Sequence, residues 1–414
     1  MNPQIKLLIS MCLLPALPLS ARNLSHDFNE ALAFDPQYQT AMADAKISER
    51  TAKQSRAVFF PEATFSTQRI ATDTSGRFSL NVSQPLLDWE RYVTWSQAAP
   101  QEALGEINLQ LKQQELATRL LKAAVEITLA NESLRLNEAK LKAVGQQAER
   151  ATRMLQLGQG TITDLRDIQV KLSQANAQQF AFEIQLQTAI KQYAFMIGTT
   201  PVVSDFVLPK SQGNFSIKSL QEYTDWGLRA SPAALAGRLN VQLAESNVTK
   251  IKASFLPSAT AQYAYTQNSG VTHSANYLGV GMSVPLKAGT LYSMDAAQAT
   301  VVKTQESLRQ TESEIRLNAD KLRALVESGS QSLQIQLEAI EAAELSVEAN
   351  SKSYQGGVRT AVDVLNAIQT VFQVKSDYVT LATTQAQNIL ALLLLSATAP
   401  KDAVTQAQFY LFVK

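Results

Sequence analysis

The sequence predicts a mainly α-helical protein with a small membrane-spanning β part, internally duplicated. Three observations carry this prediction. Two segments of roughly 65 residues repeat apolar side chains every seven positions, the pattern of a coiled-coil seam. Four short segments alternate apolar and polar residues, the period of a strand. Landmark residues recur at a near-constant offset. Asp35-Pro36 matches Ser231-Pro232, and Phe60-Pro61 matches Leu256-Pro257, at an offset of 196. Pro85-Leu86 matches Pro285-Leu286 at 200, and Gly158-x-x-Thr161-x-x-Asp164 matches Gly357-x-x-Thr360-x-x-Asp363 at 199. A repeat half a chain long is far beyond a solenoid unit and points to a pseudo-symmetric subunit.

Residues 1–21 read as a secretory leader. Lys6 supplies a positive start, an apolar run follows, and Ser20 and Ala21 are the small residues of a cleavage site. Cys12 is an unsuitable lipoprotein cysteine, because Met11 occupies the position where a small residue is needed. No later stretch reaches the roughly 18 apolar residues of a membrane helix, so no transmembrane helix is expected after the leader.

The first repeat spans 22–198. It opens with a helical pattern over 26–58 and continues into a hairpin over 61–86. There Phe65 lies on one face of the first strand, and Phe78, Leu80, Val82 and Leu86 on one face of the second. A long helix over 90–157 carries the seam rows Leu120, Ile127, Leu134 and Leu116, Ala123, Ala130, Asn137. Pro100 is expected to kink it near its start. A shorter helix over 165–197 completes the repeat. Residues 199–222 form a linker, where Thr199-Thr200-Pro201 and Pro209–Asn214 interrupt the helical pattern.

The second repeat, 223–398, has the same order: a helix over 223–255, a hairpin over 257–286, a long helix over 292–355 and a helix over 364–397. Tyr263 lies on the apolar face of its first strand, and Leu278, Val280, Met282 and Val284 on that of its second. Residues 399–414 form a tail. Each long helix measures about 100 Å at 1.5 Å per residue.

Each strand is about 10 residues, the length that crosses a bilayer when tilted. A sheet packed on a soluble core is the competing reading, but hairpins at the ends of such long helices have no core to pack on. Trp89, Tyr92, Trp95 and Tyr292 follow strand ends, as residues of an interfacial belt do. Four strands cannot close a barrel, and open edges in lipid leave backbone groups unpaired. Closure between copies is therefore expected. Three copies give 12 strands, with the polar residues facing a lumen.

The turn sequences Gly158-Gln-Gly-Thr-Ile-Thr-Asp164 and Gly357-Val-Arg-Thr-Ala-Val-Asp363 read as helix ends. Gly158 and Gly357 suit the left-handed residue after a helix. Thr161 and Thr360 suit N-caps, with Asp164 and Asp363 closing capping boxes.

Helix, hairpin, long helix, turn and helix, duplicated and with these two turns, resemble the TolC family of outer-membrane channels over essentially the whole chain after the leader. The resemblance implies a homotrimer in the outer membrane of a Gram-negative bacterium, with a 12-stranded barrel continuous with a periplasmic helical tunnel. It implies docking to a periplasmic adaptor (a membrane fusion protein) and an inner-membrane ABC or proton-driven transporter. It implies an entrance lock formed by Tyr354, Arg359 and Asp164, and an acidic ring at Asp363. Asn366 stands where a second acidic residue can occur, leaving three ring carboxylates per trimer rather than six. The projecting turn residues Gly158, Gly160, Thr161, Gly357, Val358 and Thr360 are the expected adaptor contacts. Passive exit of proteins in type I secretion is the expected role, with small-molecule efflux and a periplasmic adaptor or scaffold as alternatives.

Composition excludes other classes. With 37 Lys+Arg against 36 Asp+Glu, the net charge of +1 gives no footprint for nucleic acid. One Cys and two His, His26 and His273, supply neither a disulfide framework nor a sequence-visible metal cluster. His26 is expected to start a helix, and neither His has a candidate partner in the sequence. No Walker loop or nucleophile elbow is present, so no enzyme, cofactor or resident metal is expected.

Overall fold

The computed structural model describes residues 23–69, 76–209, 215–268, 275–285 and 289–412. The expected leader with Cys12, the turn residues 70–75 and 269–274 with His273, linker residues 210–214, and Leu286 lie outside the described residues.

The first repeat comprises α1 (Leu24–Phe34), α2 (Pro36–Arg56), β1 (Glu62–Arg69), β2 (Gly76–Leu87), α3 (Trp89–Ser96), α4 (Ala98–Gln156) and α5 (Ile162–Ile197). The second comprises α6 (Leu220–Ala230), α7 (Pro232–Ala253), β3 (Ser258–Asn268), β4 (Ala275–Ser283), α8 (Gly289–Gln355) and α9 (Ala361–Leu395). A final helix, α10 (Pro400–Gln408), follows.

Three helices expected to be continuous are divided. Asp35 and Ser231 each precede a proline, which disfavours helical backbone at that position. Both are extended, with ψ of 119° and 137°. Each then caps the next helix, accepting from the Tyr38 and Ala234 amides. The first long helix breaks at Gln97, three residues before Pro100, because a proline ring collides with the carbonyl four residues earlier. The second has no proline and runs 67 residues unbroken.

The helices pair as antiparallel coiled coils, α4 with α5 and α8 with α9. Their duplication extends to single hydrogen bonds. Asn137 Nδ2 donates to the Ala175 carbonyl at 3.0 Å, and Gln336 Nε2, 199 residues later, donates to the Val374 carbonyl at 2.9 Å. A polar side chain in an apolar seam fixes helix register. The α8–α9 pair has a further key. Gln385 is 3% exposed, and its Nε2 donates to the Val326 carbonyl at 2.8 Å. A Cβ at Gly329 would sit 2.0 Å from Gln385 Oε1. Gly329→Ala is expected to destabilise the pair by about 1–3 kcal/mol through overpacking. Gln385→Ala in the same chain should restore most of that loss in heat-unfolding midpoints.

The largest core gathers the middle of α4, including Leu116, Leu120 and Ile127, with α1, the end of α5 and the end of α9. Segments expected as linker and tail are part of it. Phe206 stacks edge-on against Tyr193 at 5.5 Å and Phe412 at 5.3 Å, and α10 buries Ala403, Val404 and Ala407. Helix α9 is long and apolar enough to cross a membrane by composition, but 56% of that window is buried inside the chain. It is a core helix.

The strands form one antiparallel sheet in the order β1-β2-β3-β4, so β2 and β3 join the two repeats across the duplication. Phe65 pairs with Leu80, Leu80 with Tyr265, Val82 with Tyr263, and Tyr263 with Leu278. All four apolar rows therefore share one face. Val284, expected in the last strand, lies just beyond it and before Pro285, which has no N–H to continue a ladder.

Candidate functional site

Two features present exposed surface at the ends of the chain: the sheet at one end of the long helices and the two turns at the other.

The sheet offers an apolar face, a polar face and two edges. On the apolar face Phe65 meets Phe78 edge-on at 4.7 Å, and Phe78 meets Tyr265 at 6.1 Å. Phe78, Leu80 and Val82 are half-buried by cross-strand neighbours, whereas Leu278 is 79% and Met282 73% exposed. Phe65, Tyr263 and Val280 are also exposed. On the polar face the hydroxyls of Ser66 and Ser79 lie 2.7 Å apart, and those of Ser258 and Ser283 3.0 Å apart. Arg91 fixes the root of the sheet. Its Nη1 donates to the Val58 carbonyl at 2.6 Å and to Glu62 Oε1 at 2.9 Å. Within the described chain β1 and β4 each have one free edge. Trp89, Tyr92 and Trp95 form a partly exposed aromatic ladder just past β2, with Tyr92 stacked on Trp95 at 6.1 Å.

At the other end, both helix exits follow one plan. Gly158 has φ +73° and Gly357 φ +72°, the left-handed region that glycine occupies without penalty. Gly158 N–H donates to Leu155 and Gln159 N–H to Met154; Gly357 N–H donates to Tyr354 and Val358 N–H to Ser353. These are the paired bonds of a Schellman ending. Gly158, Thr161, Gly357, Val358 and Thr360 are exposed at the turns and Gly160 partly so, with Val358 81% exposed.

The entries differ. Thr360 and Asp363 close a full capping box: the Asp363 amide donates to Thr360 Oγ1 at 3.2 Å, and the Thr360 amide and hydroxyl donate to Asp363 Oδ2 at 3.0 and 2.9 Å. The Thr360 amide and hydroxyl, with the Arg359 charge behind them, hold the Asp363 carboxyl below its ordinary pKa. In the first turn the Asp164 amide donates to Thr161 Oγ1 at 3.1 Å, without the return bond expected of a box. The Asp164 carboxylate instead acts on Tyr354 of the other repeat: burial, then this charge, raise the phenol above its ordinary pKa. Arg359 lies 3.9 Å from Asp363 Oδ1. The single chain thus brings Tyr354 and Asp164 into electrostatic reach and turns Arg359 towards Asp363.

Two polar groups were not legible as sites. Buried Asp35 takes a two-pronged contact from Arg119, at 3.0 and 2.9 Å. His26, without a partner in the sequence reading, lies beside Asp27 and Glu30 on α1. Proximity on one helix is the signal that reading passed over.

A profile of the outer membrane efflux protein family matches residues 28–199 and 228–398, one match in each half. The alkaline protease secretion protein AprF of Pseudomonas aeruginosa is 26% identical over 401 residues, covering 87% of this chain and 82% of AprF. The outer membrane protein TolC of Vibrio cholerae is 24% identical over 379 residues, covering 85% of each. Among solved structures, the outer-membrane channel OprN superposes with a TM-score of 0.78 at 16% identity, over 92% of this chain and 91% of OprN. The chain belongs to the outer membrane efflux protein family, channels of the Gram-negative outer membrane that join a β-barrel to a long periplasmic helical tunnel.

Proposed function

We propose that three copies of this chain form a passive exit duct for type I protein secretion, fed by an inner-membrane transporter through a periplasmic adaptor. The observation that carries the reading is the four-stranded sheet with one apolar face and two free edges. In lipid such edges must be paired, and a ring of copies pairs each β1 with a neighbour's β4. Three copies give a 12-stranded barrel wide enough for a lumen. Exposed apolar residues on α5, such as Phe180 and Ile184, and on α8, such as Leu317 and Ile335, support further contact between copies. The polar strand face lines the lumen and the apolar face meets lipid.

The two turns form the periplasmic entrance and the adaptor-docking tips. Tyr354, Arg359 and Asp164 hold it closed, with Arg359 moving between Asp363 of its own turn and Asp164. Asp363 lines the constriction. Arg359→Ser with Tyr354→Phe is expected to raise single-channel conductance in a planar bilayer; unchanged conductance would remove these residues from the lock.

Protein secretion is favoured by the likeness to AprF, a protein named for protease secretion. The efflux alternative draws on the family's description. Removing the chain from its host separates them. Loss of particular proteins from the medium with unchanged drug susceptibility supports secretion. Lowered inhibitory concentrations with an unchanged set of secreted proteins support efflux and overturn the secretion reading.

A further inference from the structure

A cavity of about 140 Å³ lies where α4 and α5 of one coiled coil meet α9 of the other. Lys140 of α4 and Gln178 of α5 line it, with Gln369 and Ser376 of α9 and the rings of Phe182 and Phe372. Lys140 Nζ donates to Gln178 Oε1 at 3.5 Å, the long limit of such a bond, and makes no ion pair among the described residues. Burial, then the like charge of Lys171, lowers the ammonium below its ordinary pKa. A desolvated cation is normally paired; here the neighbouring charge has its own sign. The duplication shows what is missing. At the offset of 199 that relates Asn137 to Gln336, Lys140 corresponds to Ala339 and Gln178 to Asp377. In the second repeat Asp377 Oδ1 accepts from Gln373 Nε2 at 2.9 Å. The first repeat has the cation, and a neutral amide in place of that anion.

The groups around Lys140 select the ligand class. Gln178 accepts through its oxygen, which leaves its NH2 group free to donate. The Gln369 amide and the Ser376 hydroxyl make no hydrogen bond among the described residues, so both can turn a donor to the cavity. An ammonium with two amides and a hydroxyl is a donor set for an oxyanion. The volume is well below the roughly 300 Å³ at which pockets for drug-sized ligands begin, so it fits an ion of a few heavy atoms. We propose that Lys140, Gln178, Gln369 and Ser376 bind one small tetrahedral oxyanion, of the sulfate or phosphate class, between α4, α5 and α9. Bound there, it offsets the repulsion between Lys140 and Lys171 and ties the two coiled coils of one chain together. The site lies within one chain and does not depend on how copies assemble.

Lysine acylation followed by peptide mass spectrometry tests this on the purified full channel. The unprotonated amine is the nucleophile, so an oxyanion that holds the Lys140 ammonium slows its reaction. Sulfate, added at constant ionic strength against chloride, is expected to slow acylation of Lys140 saturably, by about tenfold. Lys122, exposed on the same helix, should be unaffected. Gln369→Leu with Ser376→Ala keeps Lys140 but removes two donors. It should raise the half-saturating sulfate concentration at least about fivefold, with helical circular dichroism unchanged. Acylation of Lys140 that does not respond to sulfate overturns the site. Equal slowing at Lys122 does so too, because it reports general screening. A half-saturation unchanged in the double variant also overturns it, because the α9 donors would then play no part.

Discussion

Val280→Arg is expected to prevent stable insertion into the outer membrane, while Gly281→Arg, one residue on, leaves insertion intact. Val280 shares the apolar face with Leu278, Met282 and Tyr263 and is 69% exposed in the single chain. An arginine on the lipid face of a barrel costs about 2–4 kcal/mol near the bilayer midplane. A ring of three copies incurs it three times, comparable with the 5–15 kcal/mol that typically stabilises a folded protein. Gly281 points to the opposite face, and a Cβ added there meets nothing within 4 Å. The guanidinium would stand in water inside the lumen. Chain recovered in outer-membrane fractions, with the yield of heat-resistant oligomer, checks the pair. Equal loss in both variants would mean that the two faces do not differ in environment.

Arg119→Ala should destabilise the helical body by about 3–5 kcal/mol, the cost of leaving a buried charge without its partner. Asp35 is fully buried and caps α2, while Arg119 reaches it from α4 with both terminal nitrogens. Burial alone would raise the carboxyl pKa. The Arg119 hydrogen bonds, the Tyr38 amide and the Arg119 charge together bring it below its ordinary value of 3.8. A depressed carboxyl contributes stability above its unfolded pKa and loses it as pH falls through the folded value. In Arg119→Ala the carboxyl is buried without a cation, so the deficit is largest at neutral pH. It should narrow as pH falls, first as the unpaired carboxyl of the variant protonates and then, at lower pH, as the depressed carboxyl of the parent does. Arg119→Lys keeps the charge but not the planar fork and should recover only part of the loss. Heat-unfolding midpoints at neutral and acid pH test all three statements.

The four strands were legible because side-chain direction in a strand is set by the backbone alone, so alternation survives in the letters. The pairing of β2 with β3 was not, since it joins residues from opposite halves of the chain and neither segment specifies its partner. The breaks at Asp35 and Ser231 were present as X-Pro steps, yet apolar spacing continues across them and reads as one helix. The Asp35–Arg119 contact spans 84 positions and is absent from any local pattern. The turns show where motif reading stops. Thr161/Asp164 and Thr360/Asp363 carry the same residues at the same spacing, but only the second pair closes its box. The first aspartate has Tyr354 of the other repeat nearby, and that neighbour comes from the fold.

A barrel closed between subunits requires each free strand edge to be satisfied by another copy of the chain. Cysteine cross-linking between edges tests it most directly. One cysteine is walked along Glu62–Arg69 and a second along Ala275–Ser283 in the membrane-embedded protein. Particular pairs should oxidise to covalent trimers and to nothing larger, with partners shifting in step as the first cysteine moves. Chains that remain monomeric at every pairing, or link only within themselves, would contradict a barrel closed between subunits.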